Sequence, residues 1–226
     1  MLAAVAKSQQ EADRTKREKV RKSLVAHLTS LASKYEVDEE QLLDAENVPT
    51  RLFHALEKLG AGAMFDNDEM LALRKGNFPY LAAAVHWRAW EKSVDPWNVI
   101  HACSLLRRAQ HPRKAVKLLS QIDISEWSGS VSSAFFTTLG GAQRDAGAVK
   151  EAWDSAKTAL LKRDDKPHPY LLLGALCYQL DRREESNDFF AKARARGATE
   201  KDIEFTRRDA ESRRRNAGAD DIDKNF

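Results

Sequence analysis

Residues 167–200 read PHPYLLLGALCYQLDRREESNDFFAKARARGATE, and the stretch before them, residues 133–166, reads SAFFTTLGGAQRDAGAVKEAWDSAKTALLKRDDK. Laid one over the other, Phe136, Leu139, Gly140, Gly147, Ala152 and Ala159 fall on Tyr170, Leu173, Gly174, Asp181, Ser186 and Ala193. Aromatic meets aromatic, small meets small, and turn former meets turn former. A fixed period of this length marks a repeat in which each copy is one supersecondary unit that buries its apolar face only against its neighbours.

Within residues 167–200 the apolar positions Tyr170, Leu173, Gly174, Cys177 and Leu180 have helical spacing, Asp181-Arg182-Arg183 makes a turn, and Ser186, Phe189, Phe190 and Ala193 stripe a second helix that stops at Gly197. Two helices joined by so short a turn come close only where Gly174, Ser186 and Ala193 carry little side chain. Tyr170 and Phe190 then fill the wedge, so that large and small alternate across the contact. Residues 133–166 repeat the scheme, with Ala156 in the place of Phe190. A third unit spans residues 96–122, with Cys103 and Ala115 at the small positions and Leu106, Leu119 and Ile122 apolar. The offset from Ala115 to Ala152 is three residues longer than the repeat, which puts an insertion in the loop Ser125–Ser130.

These positions resemble the tetratricopeptide (TPR) repeat family, whose pattern has an aromatic, Leu-Gly, Gly or Asp at the turn, then Ala, an aromatic and Ala. The resemblance covers residues 96–200 and implies an all-α, helix–turn–helix solenoid. Around it the sequence places a charged N-terminal helix (residues 1–35), an irregular helical region (36–95) and repeats closed by a capping helix (96–215). A disordered tail (216–226) follows. Residues 50–62, 67–75 and 79–90 read as helices, the second started by Asp66-Asn67-Asp68 and the third by Pro79. The N-terminal helix is apolar only at Val20, Leu24, Leu28 and Leu31, which predicts that residues 1–18 add little to folding. Thr199-Glu200-Lys201-Asp202 starts the capping helix, whose thin apolar content (Ile203, Phe205, Ala210) predicts a solvating cap.

Charge is uneven. Residues 1–35 carry eight Lys and Arg against Glu11, Asp13 and Glu18, and residues 96–122 carry Arg107, Arg108, Arg113, Lys114 and Lys117 with no acid. The 226-residue chain is only +3 in total, so the remainder is acidic. Two cysteines, Cys103 and Cys177, make neither a disulfide framework nor a C-x-x-C, which fits a reducing compartment. No apolar run has the length of a leader or a membrane span, and the expectation is a cytoplasmic protein away from membranes.

Nothing in the sequence asks for catalysis, a cofactor or a metal. The six histidines are scattered, Asp66-Asn67-Asp68-Glu69 lacks the Gly and closing Glu of a calcium loop, and Gly140-Gly141 lies mid-helix at the packing point rather than in a phosphate loop. Trp87, Trp90, Trp97 and Trp127 read as filler between helices.

In TPR-like folds the first helix of each unit lines the concave face. Carried over position by position, that face presents Trp97, Arg107 and Arg108 from the first unit, Arg144 and Asp145 from the second, and His168 and Tyr178 from the third. Arg107, Arg144 and Tyr178 are equivalent positions and should align. A pair of guanidiniums beside a tyrosine suits a carboxylate-bearing segment, which Arg grips with a two-pronged fork.

The expectation is therefore a non-enzymatic adaptor or chaperone-like module with a protein or peptide partner, acidic at the contact. Reversing Arg107 and Arg144 should abolish binding and spare the fold, while Arg213 and Arg214, on a solvated face, should matter little. The positions of the Lys/Asn clamp that grips chaperone tails hold Ala134, Thr137, Leu171 and Ala175, which argues against that partner. The alternative is a nucleic-acid-associated accessory factor using basic segments 7–22 and 107–117, although acids interleave with the first and no aromatic is there to stack on bases.

Overall fold

The computed structural model describes residues 28–42 and 50–217, with residues 15, 19 and 26 as isolated positions. The expectations for residues 1–18 and for the tail beyond residue 217 lie outside these. All regular structure among the described residues is helical, and the chain divides after Lys92 into two compact units.

The first unit holds α1 (Thr29–Lys34), a 3-10 turn (Glu39–Gln41), α2 (Arg51–Gly60), α3 (Asn67–Lys75) and α4 (Pro79–Ser93), which runs to the boundary. Local chemistry sets the helix starts. The Thr50 hydroxyl accepts from the Phe53 amide and donates to the Gln41 carbonyl, tying α2 to the 3-10 turn. At α3, Asp66 accepts from the Glu69 amide while the Glu69 carboxylate accepts from the Asp66 amide, a reciprocal cap. Glu69 also takes Lys58 at 2.6 Å, which fastens α3 to α2. Phe53, Leu56, Leu81, Ala82 and Val85 are buried in this unit.

The second unit holds α5 (Pro96–Arg108), α6 (Pro112–Leu119), α7 (Gly129–Asp145), α8 (Val149–Lys162), α9 (Pro167–Gln179), α10 (Arg183–Arg194) and α11 (Glu200–Ala217). The first six pack as the pairs α5/α6, α7/α8 and α9/α10, with each pair also against its neighbour. The turns inside the pairs are chemically alike. Gln110, Gly147 and Asp181 sit in the left-handed region at φ 60, 88 and 61°. After each, a backbone amide reaches back into the preceding helix: His111 to Leu106, Ala148 to Gln143 and Arg182 to Cys177. Gly147 and Asp181 are the turn formers that the repeat aligns. Gln110 precedes Gly147 by three residues more than the repeat, the same extra offset that separates Ala115 from Ala152.

Helix contacts form where the small residues are. A Cβ on Gly174 would meet the Phe190 ring at 2.6 Å, and one on Gly140 would meet Leu172 at 2.9 Å and the Ala152 carbonyl at 3.0 Å. Ser186, fully buried, donates to the Gly174 carbonyl at 2.8 Å, so its hydroxyl does not stay unpaired inside the contact. The tryptophans depart from the expectation of filler: Trp87, Trp90 and Trp127 are half-buried and Trp97 is 40 % exposed. In the second unit the Trp127 ring packs edge-on against the buried Phe135.

Candidate functional site

Helices α5, α7 and α9 end at the same side of the second unit, each just before its left-handed turn, and the ends of α5 and α7 bring Arg107 and Arg144 together. Arg107 donates through Nε to Asp145 Oδ2 at 2.8 Å. Its guanidinium lies so close to the Gly141 backbone that a Cβ there would collide with it. Gly140 and Gly141 therefore do separate jobs: the first admits a helix and the second admits a cation.

Arg144 donates to Asp145 Oδ1 at 3.2 Å and to Asp209, which is supplied by α11. Arg213, one turn further along α11, closes the network, with Nη2 3.2 Å from Asp145 Oδ1 and Nε donating to Asp209 Oδ2 at 3.2 Å. Three guanidiniums thus hold two carboxylates. Burial pushes the Arg144 guanidinium below its ordinary range, with Asp145 and Asp209 acting against that shift. Burial pushes the Asp209 carboxyl up, but Arg144 and Arg213 outweigh it and hold the group below its ordinary value.

Helix α11 is thus more than a cap. It starts beside the N-terminal end of α9, where Ile203 packs with Tyr170, Phe190, Ala193 and Ala198. It ends beside the turn after α9, where Arg214 meets Asp181 at 3.3 Å and Glu211 meets Arg183. Between these points Asp209 and Arg213 reach past α9 to the end of α7. The expectation of a solvating helix whose Arg213 stands apart from the site is corrected. An Asp and an Arg one turn apart share a helix face, and that face is turned toward Asp145 and Arg144.

Helix α11 packs along α9. Among its described side chains Ile203 and Ala210 are buried, against nine buried residues on α9. Burying Ile203 stabilises by about 2–3 kcal/mol. Ion pairs with partners this exposed, 30 % for Asp209 and Arg213, contribute at most about 1 kcal/mol each.

The six residues expected at the site separate in the structure. Arg107 and Arg144 converge. Tyr178, at the equivalent position on α9, lies beneath the Arg183 guanidinium at 3.6 Å and belongs to the neighbouring Asp181–Arg183–Glu211 cluster. Arg108 is exposed. Trp97 and His168 stand in the first turns of α5 and α9, and His168 is near enough to Asp202 to help its Thr199 hydrogen bonds lower that carboxyl. Ten helical residues separate Trp97 from Arg107 and His168 from Tyr178, about 15 Å at 1.5 Å per residue, so these two stand at the far ends of their helices. Asp209 and Arg213 belong to the site and were not expected there.

The expectation that reversing Arg144 spares the fold is also corrected. Its side chain is 6 % exposed and spans two carboxylates, so Arg144→Glu would gather three acids in a buried place.

Elsewhere, a cleft of about 530 Å³ lies in the first unit with apolar walls from Leu52, Ala55, Phe65, Leu73 and Phe78. Of the two acids that line it, Asp68 and Glu69, the second is already committed to Lys58 and to the Asp66 amide. Among the described residues no three His, Cys, Asp or Glu side chains stand together to hold a metal ion, and no helix is long and apolar enough to cross a membrane. No protein-family model, no curated protein and no solved structure matches the chain.

Proposed function

We propose that the second unit is a TPR-like array acting as a non-enzymatic protein–protein adaptor or chaperone-like module, and that it holds a carboxylate-bearing helical segment of its partner against the face made by α5, α7 and α9. One observation carries this reading. Arg107 and Arg144, equivalent positions of successive pairs, converge on carboxylates, and one of those carboxylates is presented by a helix laid across the face. The recurring left-handed turns and the small residues at the pair contacts support the array. Arg144 is nearly buried between acids, and a guanidinium so placed selects for a negatively charged group.

The test uses Arg107→Glu, since Arg107 is 26 % exposed at the rim and can be changed without opening the core. Full-length parent and variant serve as baits in affinity capture from the native cell, quantified by mass spectrometry, with helicity checked by circular dichroism. A partner recovered by the parent and lost by the equally helical variant supports the reading. Equal recovery of every partner refutes it. The nucleic-acid reading keeps Arg108, Arg113, Lys114 and Lys117 at the surface, while Arg107 is given to Asp145. Binding to random-sequence RNA or DNA with a steep slope of log affinity against log salt would favour it instead.

A further inference from the structure

We infer that α11 is a stand-in for the partner, and that the helix which displaces it carries a large aliphatic residue, an Asp or Glu six positions later, a small residue next to that acid, and no cation one turn further on. This rests on the reading of the second unit as a protein-binding module and names the ligand of that same face.

The template is the seat that α11 occupies. Ile203 is fully buried among Tyr170, Phe190, Ala193 and Ala198; Asp209 reaches Arg144; Ala210, also fully buried, lets the helix lie close. These three positions fix the spacing an incoming helix must reproduce. The charge count indicates how that helix would differ. Without α11 the face offers Arg107 and Arg144 against Asp145 alone, one positive charge in excess. Helix α11 brings Asp209 together with Arg213, so its docking leaves the excess where it was. A helix with the acid and no companion cation would neutralise it. Helix α11's own members of its ion pairs, Asp209, Glu211 and Arg213, are about a third exposed, and segments fastened through such partly solvated groups open at lower cost than the core they cover.

The experiment uses the full chain and fluorescein-labelled peptides spanning residues 199–217, followed by anisotropy. In the variant Asp209→Arg, two cations, the introduced guanidinium and Arg213, face Arg107 and Arg144 where the chain's own α11 would dock. That chain should bind the native-sequence peptide about tenfold more tightly than the parent chain does. A peptide carrying Asp209→Arg should bind neither chain, and a peptide carrying Arg213→Ala should bind at least as well as the native-sequence peptide. If Asp209→Arg lowers helicity, Asp209→Asn gives the same comparison with a smaller gain.

Any of three results overturns the inference: equal binding of the peptide by parent and variant chains, binding of the Arg213→Ala peptide about tenfold worse than the native sequence, or exchange of the amides of residues 203–213 as slow as those of α9. Dimerisation of the variant chain in light scattering, in step with its gain in peptide binding, would make the occupant a second copy of this chain. None of these readouts uses the native partner. Equal recovery of every partner by the parent and Arg107→Glu, alongside a successful peptide series, would sink the proposed function and leave the seat intact, and the reverse pattern would sink the stand-in alone.

Discussion

Arg144 carries the largest electrostatic stake in the second unit, and replacing it with Met tests whether the five-residue network is structural. Methionine keeps most of the buried stem, so the change removes charge with little loss of packing. Side chains of Arg144 and Asp145 are 6 % and 7 % exposed, and breaking a buried pair from one side costs about 3–5 kcal/mol, because the remaining charge stays desolvated. Two features reduce that figure here. Asp145 keeps Arg107 at 2.8 Å and Arg213 at 3.2 Å, and Asp209 keeps Arg213 and is 30 % exposed. The expected loss is about 2–3 kcal/mol, or about 6–12 °C in the melting temperature of a domain this size. Asp209→Asn should lose no more than about 1 kcal/mol, since the acid is partly solvated. Because the two residues touch, the double variant should lose about 1 kcal/mol less than the sum of the single losses. Circular dichroism melts of the four proteins decide the matter. A melt of Arg144→Met within about 2 °C of the parent, or strict additivity, would refute the network as drawn.

Gly174→Leu should lose about 3 kcal/mol or more by overpacking, since even a Cβ there meets the Phe190 ring at 2.6 Å; a parental melting temperature would show that the pair α9/α10 crosses elsewhere. Asp209 is held below its ordinary value in the fold, so its contribution is present above the unfolded value of about 3.9 and disappears as pH falls through the folded one. Stability should therefore decline more steeply between about pH 5 and pH 3 in the parent than in Asp209→Asn, and parallel declines would remove Asp209 from the account. Burial pushes the thiols of Cys103 and Cys177 up to about 12 and about 11. Neither should react with a disulfide reagent at pH 8 until the protein unfolds, and prompt reaction of the folded chain would contradict the packing of α5 and α9.

The pairs of helices were legible because packing repeats. Gly174 and Gly140 must be small for the same local reason, Gly147 and Asp181 must both tolerate a left-handed backbone, and such requirements recur in the sequence at the spacing of the units. Position-by-position equivalence also brought Arg107 and Arg144 to one place. It could not supply what lies opposite them, because the docking of α11 is not periodic. Helix α11 holds five acids and six bases within residues 200–217, and composition does not say which of them turn inward. Only two fully buried side chains, Ile203 and Ala210, set its rotation about its own axis, and that rotation delivers Asp209 and Arg213 to Asp145 and Arg144. The i, i+4 spacing of Asp209 and Arg213 was the available signal. The excess of positive charge over residues 96–122 points the same way. An array that gathers guanidiniums along the ends of successive helices must find carboxylates for them. When Asp145 alone does not suffice, the next acid comes either from the chain itself or from another molecule. In this structure Asp209, on α11, supplies it.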